Sequence, residues 1–133
     1  MKAFIDSSFF ISLIRKDDSN HEKALRILRG LKDAPVIFFT SHYVIDEVAT
    51  VLSMRVSKSS ATNFLHSTTE DDFPMILSLD TDTRDRGRRL FQNQQDKNIS
   101  MIDCYCAVLM HSQKIKKCFT FDKQFKKLGF EIL

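Results

Sequence analysis

Met1-Lys2-Ala3-Phe4-Ile5-Asp6-Ser7-Ser8 is the stretch whose reading decides the fold. Residues 2–5 form a short apolar run that suits a buried strand, and Asp6-Ser7-Ser8 supplies helix-cap chemistry immediately after it. A strand that passes straight into a helix, here reaching about Arg15, cannot close a hairpin with its successor. It calls for a crossover and a parallel partner.

The rest of the chain keeps that alternation. Residues 17–20, Asp-Asp-Ser-Asn, open a second helix whose apolar positions Ala24, Leu25, Ile27, Leu28 and Leu31 hold the helical period. Ala34-Pro35 ends it, and 36–40 is a β-branched and aromatic strand. Ser41 caps a long helix to about Met54, and a further helix spans 57–66. After a polar loop at 68–72, the pattern predicts a strand over 75–79, a helix over 82–95 and a very apolar helix from Ser100 to about Lys114. A fourth strand over 118–121, a helical turn over 123–128 and an edge strand over 130–133 close the chain. Strands separated by helices mean an α/β fold with a parallel sheet of four to five strands. There is no internal repeat and no long linker, so residues 1–133 read as a single domain.

Composition narrows the function. A chain of 133 residues supports one hydrophobic core and is too small for two. A formal net charge of +3 permits a polyanionic partner without demanding one. No apolar run approaches the roughly 20 residues of a membrane span, and the acid at position 6 comes too early for a secretory signal. The expected location is cytoplasmic, with no membrane contact. With only three glycines, no phosphate-cradling loop or dinucleotide fingerprint can be drawn. Cys104, Cys106 and Cys118 show no zinc-ligand spacing and no disulfide framework, and read as small core residues. His42 and Asp46 stand four apart on one helix without a second histidine, which reads as surface.

Four carboxylates stand where chemistry is the better explanation. Asp6 ends the run Ala3-Phe4-Ile5, and Asp122 ends Phe119-Thr120-Phe121. Glu47 interrupts the stripe Val44, Val48, Val51, so it is expected to face inward or lie at the core margin. Asp103 is the sole charge between Ile99 and Met110. Each has a structural alternative: Asp6 and Asp122 as helix caps, Asp103 as the third residue of a capping box opened by Ser100. Their joint placement is what argues. Strand C-terminal ends and helix N-termini meet on one side of a parallel sheet, so all four can converge. Repulsion among them would be relieved by Mg²⁺ or Mn²⁺, which favour oxygen ligands, and such a centre suits phosphoryl chemistry.

The motifs Phe4-Ile5-Asp6-Ser7-Ser8, Val44-Ile45-Asp46-Glu47-Val48, Ser100-Met101-Ile102-Asp103 and Phe119-Thr120-Phe121-Asp122-Lys123-Gln124-Phe125 together resemble a PIN domain of the kind found in VapC-like toxin ribonucleases. The resemblance covers nearly the whole chain. It implies a three-layer α/β/α fold, Mg²⁺- or Mn²⁺-dependent endoribonuclease activity, homodimers and often a cognate antitoxin. Carried over by position, Asp6, Glu47, Asp103 and Asp122 become the catalytic and metal-site acids, with Ser8 and Thr120 as supporting or substrate contacts. Two features depart from the pattern. Cys104 and Cys106 replace other apolar residues, and Lys123-Gln124 stands where some relatives carry a further acid, which bears on a second metal.

Lys123 and Lys126, beside the fourth acid, and Arg84 and Arg88, on the 82–95 helix, are the candidate RNA contacts. Phosphatases of the haloacid-dehalogenase type need a second Asp where this chain has Ser8. Phospho-receiver domains need paired acids where Asp6 is followed by two serines. The remaining alternatives are a non-catalytic PIN-like module that binds RNA or protein, and a housekeeping RNA-processing nuclease.

Overall fold

A computed structural model describes residues 1–133. The elements in chain order are β1 (Lys2–Ile5), α1 (Ser7–Ile14), α2 (His21–Arg29), β2 (Ile37–Ser41), α3 (His42–Arg55), α4 (Lys58–Ser67), β3 (Met75–Leu77), α5 (Thr81–Gln92), α6 (Met101–Ser112), β4 (Lys117–Phe119), α7 (Gln124–Lys127) and β5 (Glu131–Ile132). The strands form one parallel sheet in the order β3-β2-β1-β4-β5. From β1 the chain steps one way to β2 and β3, then crosses back to β4 and β5. With right-handed crossovers, α1–α4 cover one face and α5–α7 the other. The result is a three-layer α/β/α fold.

That order places the topological switch between β1 and β4. Registers pair Phe4 with Cys118 and Ile5 with Phe119, and the Asp6 N–H then donates to the Phe119 carbonyl at 3.1 Å. The two strands therefore end together, and the residues just beyond them are brought side by side. Crevices at such a switch are where open α/β sheets place their sites.

Helix starts obey local chemistry. Ser41 accepts from the Val44 N–H, Ser57 from Ser60 and Asp80 from Thr83, which satisfies donors that the first helical turn leaves unpaired. The core is one cluster that includes Phe4, Phe9, Phe119 and Phe125, all fully buried. Cys104, Cys106 and Cys118 are buried free thiols within the interior, as expected of small core residues. Gly87 on α5 is shaped by packing, because a Cβ there would lie 2.5 Å from Tyr105 Cδ1 on α6. Only hydrogen allows the two helices to close.

Three strands are shorter than the apolar pattern predicts, among them β5, which covers only Glu131–Ile132 of the expected 130–133. β3 ends at Leu77, not Leu79, and β4 ends at Phe119, not Phe121. The reason at β4 is specific. The Phe121 N–H donates to the Ser8 hydroxyl and the Asp122 N–H to the Thr120 hydroxyl, both at 2.9 Å, so the backbone leaves the ladder to meet side chains. No helix is long and apolar enough to cross a membrane.

Candidate active site

Asp6 sits at the N-cap position of α1, yet its carboxylate makes no capping bond. Its backbone carbonyl accepts from Phe9 and Phe10 instead. The carboxylate Oδ2 accepts from the Thr120 hydroxyl at 2.9 Å and the Ser8 hydroxyl at 3.1 Å. Each of those hydroxyls is itself an acceptor for a loop N–H after β4. Two backbone donors thus orient two hydroxyls, and both hydroxyls aim at one buried carboxylate. A helix cap would need none of this.

Burial pushes the Asp6 carboxyl up to about 6, against the lowering effect of the Thr120 bond, with repulsion from Asp103 and Glu47 adding to the rise. Asp103 closes a capping box: Ser100 Oγ accepts from its N–H at 3.0 Å while its own Oδ2 accepts from the Ser100 N–H at 2.9 Å. The structural role is therefore present. It does not account for the position of Asp103, which is 8% exposed at the end of the most buried helix. Burial raises its carboxyl as well, and Asp122 and Glu47 repel it.

Asp122 lies three residues beyond β4, half-buried, and is not the cap of α7; its Oδ1 accepts from the Gln124 N–H at 2.9 Å. Glu47 corrects the inward-facing expectation. It is exposed on α3, because the helix buries Val44, Ile45, Val48 and Leu52, a face that keeps Val44 and Val48 but turns toward Ile45 and Leu52 and so away from Glu47. Its charge nevertheless bears on Asp6 and Asp103, so it stands at the rim of the same site. Asp46 beside it is exposed too.

None of the chain's ion pairs, Arg15–Asp17, Arg86–Asp82 and Lys127–Asp96, involves the four acids. Asp6 is repelled by Asp103 and Glu47, and Asp103 by Asp122 and Glu47, and none of the four has a fixed cation. No three of the chain's His, Cys, Asp and Glu side chains are placed together so as to hold a metal ion. The donor chemistry still fits a hard divalent ion: all the groups are carboxylates, two of them are raised by burial, and Glu47 is exposed with no hydrogen-bond partner.

The candidate RNA contacts are dispersed. Lys123 lines a cavity of about 270 Å³ with Lys23, Thr120, Phe121, Ile132 and Leu133. Arg84 lines another of about 290 Å³ with His42, Tyr43 and Asp46. The Arg88 guanidinium lies beside the Tyr105 hydroxyl, which holds it above its usual range. Lys126 is exposed on α7. Lys23 and Phe121 carry no signal in the sequence: Lys23 is an ordinary helix-surface lysine there, and Phe121 an ordinary strand residue. Only the approach of α2 to the β4 loop brings them together.

The chain matches the PIN domain family over residues 3–131 and belongs to that family. Among solved structures it is similar to VapC20 from Mycobacterium tuberculosis, described as a sarcin-ricin-loop-cleaving toxin, with 21% identity, a TM-score of 0.87, and coverage of 96% of this chain and 95% of that one. It is similar to VapBC2 from Rickettsia felis, solved bound to a promoter DNA fragment, with 15% identity, a TM-score of 0.69, and coverage of 100% and 98%. It is also similar to FitAcB from Neisseria gonorrhoeae, with 15% identity, a TM-score of 0.66, and coverage of 98% and 96%. No curated protein sequence matches it.

Proposed function

We propose that this PIN domain is a divalent-metal-dependent endoribonuclease acting as the toxin of a toxin–antitoxin pair. The observation that carries the reading is the cation-free carboxylate cluster at the β1–β4 switch, with Asp6 held by two oriented hydroxyls in place of a capping bond. Asp6, Asp103, Asp122 and Glu47 would hold Mg²⁺ or Mn²⁺. Once bound, such an ion supplies a water of lowered pKa and a Lewis acid for the phosphoryl group.

The chain's own contribution is positioning. Ser8 and Thr120 fix the Asp6 carboxylate, and the Ser100 capping box fixes Asp103, so two of the acids keep their orientation without further ordering on binding. Glu47, exposed and without a hydrogen-bond partner, is the acid able to move. On this reading, Lys123 and Lys126, after Asp122, would contact phosphates of an RNA strand. The toxin reading is supported by the fold shared with VapC20 and with the VapBC2 and FitAcB structures. It is supported further by Met54, Val56 and Leu65, which remain exposed around α3 and α4 as apolar surface of the kind an antitoxin would cover.

The test is cleavage of a mixed-sequence RNA pool by the purified protein with Mg²⁺, with Mn²⁺ and with excess EDTA, Asp6→Asn serving as the control for contaminating nuclease. Cleavage that needs the ion and disappears in the variant is the expected result. Cutting that persists in EDTA refutes the metal assignment, and no cutting with either ion leaves a binding module.

A further inference from the structure

We propose that the cavity between α2 and the β4–α7 loop is a nucleotide subsite, which seats one base of a single-stranded RNA against Phe121 and its phosphate between Lys23 and Lys123. The inference rests on the ribonuclease reading for its place in catalysis, and on geometry for the binding itself.

The cavity, about 270 Å³, has two parts of different chemistry. Phe121, Ile132 and Leu133 give an apolar wall, and Lys23 and Lys123 give two cations at its edge. Phe121 is held rigid: its ring stacks on Phe9 at 5.6 Å, and its backbone N–H is fixed by Ser8. The Lys23 ammonium lies 5.8 Å from the ring centroid. Lys23 is exposed on a flexible stem and forms no ion pair. A partly exposed ring backed by a second ring, with a mobile cation over it, is a surface that a base can take over. The displaced ammonium then finds a phosphate within reach. Aromatic stacking combined with a basic edge is how single-stranded nucleic acids are held without sequence readout.

The link to the acidic cluster is a shared residue. Thr120 lines the cavity and donates its hydroxyl proton to Asp6 at 2.9 Å. A nucleotide seated on Phe121 therefore lies one residue from the carboxylates, which places it as a neighbour of the scissile phosphate. The cavity with Arg84 also holds a braced ring, Tyr43 on Tyr105, but no cation lies over that ring as Lys23 lies over Phe121.

The experiment has two arms. In EDTA, fluorescence anisotropy measures binding of labelled single-stranded oligoadenylate and oligouridylate, each of about ten nucleotides, to wild type, Lys23→Ala and Phe121→Leu. In Mn²⁺, the same proteins are assayed for kcat and KM on a mixed-sequence RNA. Lys23→Ala is a surface change that leaves the fold intact, and a thermal melt checks Phe121→Leu. We expect Phe121→Leu to weaken oligoadenylate binding about fivefold or more and to lose most of the preference for adenylate over uridylate. Lys23→Ala should lower the salt slope of binding by roughly 0.7. Both should raise KM with kcat little changed. If wild type binds and cuts RNA while both variants match it, the subsite is refuted and the ribonuclease reading stands. If both variants lose binding but wild type cuts nothing, the subsite stands and the ribonuclease reading fails. No binding of either oligomer by wild type refutes the subsite outright.

Discussion

Replacing Asp6 with asparagine should stabilise the metal-free protein at neutral pH while abolishing its activity. The magnitude comes from the environment of the carboxyl. Burial first, then repulsion from Asp103 and Glu47, hold it at about 6 in the folded chain, against 3.8 ordinarily. The unfolded chain therefore releases this proton first. Between about pH 4 and pH 6 the folded state binds more protons, so stability falls as pH rises through that window and stays reduced above it. A gap of about two units corresponds to roughly 3 kcal/mol. Asparagine is neutral throughout, keeps the size of the side chain, and keeps an oxygen able to accept from Thr120 and Ser8. Its amide hydrogens need acceptors the site does not provide, so the net gain should be nearer 1–2 kcal/mol, on the order of what an unpaired buried donor costs. For a chain of this size that is roughly 3–10 °C in melting temperature. Thermal melts of both proteins in EDTA, at about pH 4.5 and about pH 7.5, measure the effect. The quantity read is the difference between the proteins at each pH, so the other titrating groups cancel. The variant should gain on wild type as pH rises. Mn²⁺ at about 100 times its dissociation constant should return roughly 2.7 kcal/mol to wild type and much less to the variant. Equal stability of the two proteins at neutral pH, with equal response to the ion, would refute both the buried-charge argument and the assignment of Asp6 to the cluster.

Three further positions separate chemistry from structure. Asp103→Asn should eliminate cleavage while the melt stays within a few degrees, because asparagine can still accept the Ser100 N–H. Asp103→Ala should lose the capping acceptor too and about 1 kcal/mol with it, measured by urea unfolding. Glu47→Gln, at an exposed position, should reduce cleavage at least tenfold with no change in melting temperature; retention of wild-type turnover would remove Glu47 from the site. Gly87→Ala should destabilise the chain by roughly 1–3 kcal/mol by urea unfolding, because its Cβ meets the Tyr105 ring.

How far the site was legible in the sequence depended on the range of the interaction that defines each part. Helix starts are local, so Ser41 and Ser100 could be read as caps and are caps. The strand–helix alternation is local as well, and it implies the parallel sheet. Asp6 was half legible: its place after β1 was visible, but whether it caps α1 or serves a site turned on Thr120, 114 residues away in sequence. Glu47 shows the weakness of choosing a helical face from a few residues. Val44, Val48 and Val51 form a plausible stripe, yet the neighbours of α3 choose a face centred between Val44 and Leu52, leaving Glu47 at the edge. The apolar alternation of Phe119-Thr120-Phe121 was equally persuasive as a strand, and failed because Ser8 offered the Phe121 N–H a nearer partner than any strand did.

These two departures bear on function in the same direction. A glutamate buried on the core face would be locked in place; exposed, as Glu47 is, it would be able under the proposed reading to adapt its carboxylate to an ion and a phosphate. Had β4 continued through Phe121, that ring would point out of a regular ladder, and Thr120 would stand on the sheet with no reason to meet Asp6. Ending the strand at Phe119 instead lets one short loop do three things: Thr120 orients the buried acid, Phe121 presents a braced ring to the α2 side, and Asp122 joins the acidic cluster. A periodicity argument treats every residue of an apolar run as core. Here the last residues of that run have been withdrawn from the ladder, and the hydroxyls of Ser8 and Thr120 are what make the withdrawal possible, since they satisfy the backbone donors the loop leaves behind. The same two hydroxyls hold Asp6, so the end of β4 and the placement of the principal carboxylate are one structural event.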